Sequence, residues 1–307
     1  MPEQLYEEVI DAFEALFGKH PGFRPAHAKG VVCEGTFSPA SAAGDFCRAS
    51  HLQGPPVPVT VRFSNFTGLP ELPDNDPQSN PRGMAIRFQA PDGATTDIVA
   101  HSYNGFPTPT VEELTGFLRA LAASGPTTPD PKPIAKFLES HPAAARFAQA
   151  PKPAPASFAT ESFYGVNAFR FTNRGGKQQF GRSQIHPVGQ EHHLSAAEAA
   201  SRSPNYLFEE LAARLKSGSA RFRLVVQVAA SGDPITDASQ TWPDTRPLVE
   251  LGTIEVRKIA QNSDALQRTL IFDPMRLIDG IEPSDDPVLK ARPGAYSVSY
   301  RRRTASS

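Results

Sequence analysis

The chain has 307 residues, 39% of them hydrophobic, which is enough apolar material for one large core or two smaller ones. Its formal net charge of -1 and a pI near 6.7 give no electrostatic ground for binding nucleic acid or an anionic membrane surface. The two cysteines, Cys33 and Cys47, make neither a Cys-x-x-Cys pair nor a disulfide framework, and read as inert thiols of a reducing compartment.

Leu5, Val9, Phe13 and Leu16 recur at helical spacing with acidic residues between them. This predicts an amphipathic docking helix within residues 1–20 rather than a signal peptide. No stretch approaches the ~20 apolar residues of a membrane span, and a cytoplasmic location is expected. Strand-like runs follow at 58–64, 83–89, 97–100, 167–172, 221–229 and 251–258, bounded by Gly, Asn and Asp turns. Helical patterns occupy 3–17, 111–123 and 205–217. Residues 125–156, dense in proline and alanine, read as a surface excursion with a short helical island at 134–138. Strands in meander with helices between them predict an α+β fold in one domain spanning 1–307, an antiparallel closed barrel decorated by helices.

Several short strings carry chemistry. Arg24-Pro25-Ala26-His27 sets an arginine and a histidine in a loop before a strand through Val31 and Val32. A neutral imidazole takes and returns a proton near pH 7, as splitting an O–O bond requires. Val61-Arg62-Phe63-Ser64 and Pro81-Arg82-Gly83-Met84 follow. Late in the chain, Phe272-Asp273-Pro274 and Gly280-Ile281-Glu282-Pro283-Ser284 precede Arg292-Pro293-Gly294-Ala295-Tyr296. Arg292 at i-4 shares a helical face with Tyr296, and a guanidinium there favours the phenolate of a group whose free pKa is ~10. Ser284, Asp285, Asp286 and Pro287 predict a capped helix start, while Pro293 and Gly294 predict a kink between the arginine and the tyrosine.

In this order the strings resemble the haem-binding core of the catalase family, from about Gly22 to Arg303. The resemblance implies haem b held between two faces. Tyr296, supported by Arg292, would ligate the iron on one face; His27, oriented by Ser64, would act on peroxide on the other. It also implies haem propionates on Arg24, Arg62 and Arg303, and Phe106 lining the distal pocket. The string from Asp97 to Phe106 departs from the full-length enzymes, which carry Asp-Leu-Val-Gly-Asn-Asn there; His101 stands at the place of the first asparagine. This variant is similar to that of the small catalase-related peroxidases. His101 is read as a distal-pocket residue, with a purely structural role as the alternative.

The implied function is a peroxidase that reduces hydrogen peroxide or organic hydroperoxides with a small organic reductant and has weak catalase activity. Two other readings stand beside it. One is a fatty-acid hydroperoxide isomerase or lyase of the allene-oxide-synthase type on the same barrel. The other is a non-enzymatic barrel that binds haem or an apolar ligand. The arm that locks full catalase tetramers has no match in this sequence, so a smaller assembly such as a homodimer is expected.

Overall fold

The structure, a computed structural model, describes residues 3–125 and 131–305. Its strands are β1 (Gly30–Pro39), β2 (Val57–Ser64), β3 (Gly83–Gln89), β4 (Thr95–His101), β5 (Phe163–Tyr164), β6 (Phe169–Thr172), β7 (Gln178–Pro187), β8 (Ala220–Val228), β9 (Leu248–Ile259) and β10 (Ile281–Pro283). Neighbours run β7-β5-β4-β3-β2-β1-β9-β8, and pairing of β8 back onto β7, from Gly181↔Val228 to Pro187↔Phe222, closes an eight-stranded antiparallel barrel. Closure pairs each of these eight strands on both sides. β6 and β10 extend the sheet from one end of β7.

Period-two alternation decides what fills the barrel. Val57, Val59, Val61 and Phe63 of β2 join the core, as do Met84, Ile86 and Phe88 of β3. Phe63 packs on Phe158, Phe163 and Phe222 with ring centroids 5.2, 6.1 and 6.0 Å apart. Burying each such ring contributes about 2 kcal/mol. The same alternation turns Ser64, Gly83 and His101 to the outer face, where the register sets them side by side: Ser64 opposite Gly83, and Gly83 opposite His101.

The helices are α1 (Glu3–Phe17), α2 (Ala43–Phe46), α3 (Val111–Ala123), α4 (Lys132–Ser140), α5 (Pro142–Gln149), α6 (Ala196–Ala200), α7 (Tyr206–Ser217), α8 (Ser263–Thr269) and α9 (Pro287–Ala305). A second core joins α1, α3 and α9 through Val9, Ile10, Val111, Leu118, Ala291 and Val298. Charge fixes the α1–α9 contact: Arg301 pairs with Glu3 and Glu7, and Arg302 with Asp11 and Glu14 at 2.8 and 2.7 Å. Gly294 gives Tyr6 its seat, since a Cβ there would lie 2.2 Å from the Tyr6 ring.

The closed barrel and the helices at 3–17 and 111–123 match the expectation. Several boundaries differ. The 97–100 run extends to Thr95–His101, which makes His101 the last residue of β4. β6 starts at Phe169, leaving Asn167 outside it, and β7 was not anticipated. The excursion holds two helices, α4 and α5, in place of one short island; residues 126–130 within it, and residues 1 and 2 of the N-terminal segment, lie outside the described residues. No helix among the described residues is long and apolar enough to cross a membrane.

Candidate active site

His27 is the one non-glycine residue with positive φ among those described, at 55°. Such a backbone costs on the order of 1 kcal/mol and persists only where its surroundings impose it. Here the His27 N–H donates to Phe66 O at 2.7 Å, the Ala28 N–H donates to Thr67 O at 2.9 Å, and Arg62 Nη2 donates to His27 O at 2.8 Å. The turn lays the imidazole over the row at the end of β2 and β3. Its Nδ1 lies 3.0 Å from Ser64 Oγ, and the ring meets Phe66 edge-on at 5.6 Å. Burial, and then the nearby guanidinium of Arg62, push the His27 pKa down to about 3, so the ring is neutral.

His101 closes the same row. Its Nδ1 accepts the backbone N–H of Tyr103 at 3.3 Å, which leaves the ring proton on Nε2. Burial pushes its pKa down to about 3 as well, with Arg292 and Lys152 adding to the effect. The two imidazoles therefore sit near one another, both neutral. Phe106 lies half-buried in the segment beyond β4, with no hydrogen bond or ring contact to either histidine among the described residues.

Helix α9 starts at Pro287, where expected, and Asp286 is the residue of the 284–287 string that caps it. Asp286 Oδ1 accepts from the N–H groups of Val288 and Leu289 at 2.8 and 3.2 Å, while the hydroxyl of Ser284 is buried with no partner among the described residues. The helix continues through Pro293, and the expected kink does not separate the pair: Arg292 Nε donates to Tyr296 Oη at 2.9 Å. Arg292 Nη1 also donates to Asn167 Oδ1 at 2.8 Å, and Asn167 Nδ2 donates to Asp286 Oδ2 at 2.8 Å. Asn167 and Asp286 are buried, at 2% and 0% exposure, so these two bonds fix the half-buried guanidinium from its inner side. Sequence reading missed Asn167, which no pattern distinguishes from other asparagines beside a strand.

Arg24, Arg62 and Arg303 converge on the C-terminal end of α8. Arg24 donates to Gln267 O and Leu270 O, both at 2.7 Å; Arg303 donates to Arg268 O and Leu270 O at 2.8 and 2.9 Å; Arg62 Nη2 reaches Gln267 Oε1 at 3.0 Å. The free carbonyls at a helix end carry partial negative charge, which accounts for part of this gathering. No carboxylate among the described residues pairs with any of the three. Burial pushes all three pKa values down, Arg62 to about 9 and Arg303 to about 10. Arg301 and Arg302 bind the acids of α1, whereas Arg303 is buried at 4% exposure; it is not part of a solvated basic tail. Two buried cations and a half-buried one, with no acid among the described residues and five N–H donors each, suit a ligand with two carboxylates. A phenol held by a guanidinium suits a trivalent iron. The residues present thus fit haem.

The sequence profile named Catalase matches residues 20–307. The chain belongs to the catalase family. It is 38% identical over 301 residues to a protein of Mycolicibacterium paratuberculosis named catalase-related peroxidase, covering 97% of this chain and 94% of that protein. A second catalase-related peroxidase, from Synechococcus elongatus, is 32% identical over 97% of this chain and 88% of its own length. A fungal catalase crystal structure superposes with a TM-score of 0.82 at 22% identity, over 93% of this chain and 60% of that one, which shows the shared fold.

Proposed function

We propose that this catalase-family protein is a haem b peroxidase that reduces hydrogen peroxide or organic hydroperoxides with a small organic reductant and disproportionates hydrogen peroxide only weakly. Membership of the family makes it an oxidoreductase acting on peroxide. The observation that carries the finer reading is the neutral pair His27 and His101 on one row of the barrel, with Tyr296 bonded to Arg292 nearby.

Bound in the site, haem supplies the iron that binds peroxide and passes electrons. Tyr296 would ligate it, and Arg292, fixed by Asn167, holds a positive N–H on the phenolic oxygen so that the anionic form is favoured. Arg24, Arg62 and Arg303 would take the propionates. His27 acts as acid and base. With its Nδ1–H donating to Ser64, Nε2 presents a lone pair that takes the proton of the inner peroxide oxygen and returns it to the outer one. Overall, ROOH with two electrons and two protons from the reductant gives ROH and water.

His101 sets the balance of activities. With Nδ1 accepting from Tyr103, Nε2–H is left as its one ring donor, but the ring is bulkier than a carboxamide and is tied to Tyr103. A second hydrogen peroxide, which disproportionation needs, would be seated poorly, whereas an organic donor that passes electrons without entering this pocket would not be hindered. A cytoplasmic homodimer completes the proposal. The test is oxygen evolution beside donor oxidation in one preparation, with His101→Asn as partner. Donor oxidation with little oxygen, and a gain of oxygen release in the variant, is expected. Oxygen release at ~10⁷ M⁻¹s⁻¹ or faster would overturn the reading. So would turnover of a lipid hydroperoxide that needs no reductant, which belongs to an isomerase.

A further inference from the structure

Past α5 the chain returns beside Tyr103, and Lys152 lies half-buried at that contact. Its carbonyl accepts from Asn80 Nδ2 at 3.1 Å. Its Nζ stands 4.9 Å from the ring centroid of Tyr103 and 4.4 Å from that of Phe147, and it donates to the carbonyls of Phe147 and Ala150. The two rings themselves meet edge-on at 5.2 Å. Tyr103 in turn donates its backbone N–H to His101, so a single residue separates the ammonium from the histidine at the end of β4.

This cation has no acid. Lys29, also half-buried, is paired with Asp74 at 2.7 Å, whereas no carboxylate among the described residues pairs with Lys152. Carbonyls and aromatic faces hold the ammonium in place, but none of them carries a negative charge to pair with it. Such a charge, one residue from a neutral imidazole, draws organic anions toward the reacting centre. Hydrogen peroxide carries no charge and gains nothing from it.

We propose that Lys152 is the docking cation for a small organic substrate that carries a carboxylate, and that it positions this substrate at the His101 end of the site. The inference rests on the peroxidase reading. The carboxylate belongs either to the hydroperoxide or to the reductant, and the two are separated by experiment.

Haem-loaded wild type, Lys152→Gln and Lys152→Arg are compared in two arms. One arm uses cumene hydroperoxide bearing a ring carboxylate against its methyl ester; the other uses hydrogen peroxide with 4-hydroxybenzoate against its methyl ester. In one arm, Lys152→Gln raises KM for the acid about tenfold, the worth of one charge-assisted contact, with kcat within about twofold and the ester unchanged. Lys152→Arg retains most of the wild-type KM. The arm that responds names the carboxylate's owner. Equal shifts for acid and ester, or no shift in either arm, would overturn the proposal, because a loosened segment would act on both. Benzoate binding to the same proteins by calorimetry, about tenfold weaker in Lys152→Gln, is read without turnover. A protein that binds benzoate through Lys152 yet turns over no peroxide would fail the peroxidase reading alone; benzoate binding unaffected by Lys152→Gln would overturn the docking site.

Discussion

Gly83 and His27 share one space. A Cβ on Gly83 would lie 2.8 Å from His27 Nδ1 and 2.6 Å from Ser64 Oγ, closer than real Cβ atoms come to any neighbour. The absent side chain in β3 is what lets the imidazole of a preceding loop lie against β2. Gly83→Ala is therefore expected to leave the barrel folded and displace the ring, lowering peroxide turnover about 10²-fold, as misplacement of a reacting group by ~1 Å does. Circular dichroism with steady-state peroxide consumption checks this; unchanged turnover would mean that His27 is not positioned by this contact.

Asn167 joins the half-buried Arg292 to Asp286, and both Asn167 and Asp286 lie out of water. Asn167→Leu removes a partner from a half-buried guanidinium and from a buried carboxylate, which should destabilise the fold by ~1–3 kcal/mol and weaken the hold on the Tyr296 oxygen. Urea denaturation and the absorption spectrum of the haem-loaded variant report the two effects separately. Asn167→Asp keeps the acceptor for Arg292 and should disturb the spectrum less.

The three arginines at the end of α8 give a graded test. Replacing Arg24, Arg62 or Arg303 by Leu should weaken haem retention by up to ~3 kcal/mol each, read as transfer of haem to a competing apoprotein. Arg303 is expected to count as much as the other two, because it is buried and bonded to Leu270 O as Arg24 is. Unaltered retention in all three variants would remove the propionates from this cluster.

Much of this was legible in the residues. Strand-like runs in meander with helices between them pointed to the barrel, and the strings around His27 and Tyr296, each short and local, carried the family resemblance. What stayed hidden depends on long-range pairing. Asn167 meets Arg292 across more than a hundred residues, and the seat of His27 depends on the register of Ser64 and Gly83 in neighbouring strands. β7 escaped notice because Gln178, Gln179, Arg182 and Gln184 obscure its alternation, and its place follows from closing the barrel between β5 and β8. Pro293 misled in the other direction: helix α9 tolerates it, packed against α1 on one side and bonded through Arg292 on the other.

His51 offers a pH test away from the site. Its ring is 3% exposed between Phe37 and Phe88, its Nδ1 has no partner, and burial pushes its pKa down to about 4 from 6.5. Between these values the unfolded chain binds a proton at His51 that the folded chain does not. The folded state therefore loses stability as pH falls below about 6.5, by up to ~1.4 kcal/mol per unit from this group. His51→Phe removes that dependence. In denaturant titrations of the haem-free protein, the variant should gain on the wild type steadily from pH 7 to pH 4, and a pH-independent difference would contradict the assignment.

The most direct measurement is the absorption spectrum of the protein titrated with haem, wild type against Tyr296→Phe. If Tyr296 holds the iron through the oxygen that Arg292 supports, the wild type binds one equivalent with a ferric phenolate band, and the variant loses that band and most of its haem while circular dichroism shows the barrel intact. A variant with full haem occupancy and the wild-type spectrum would contradict the account.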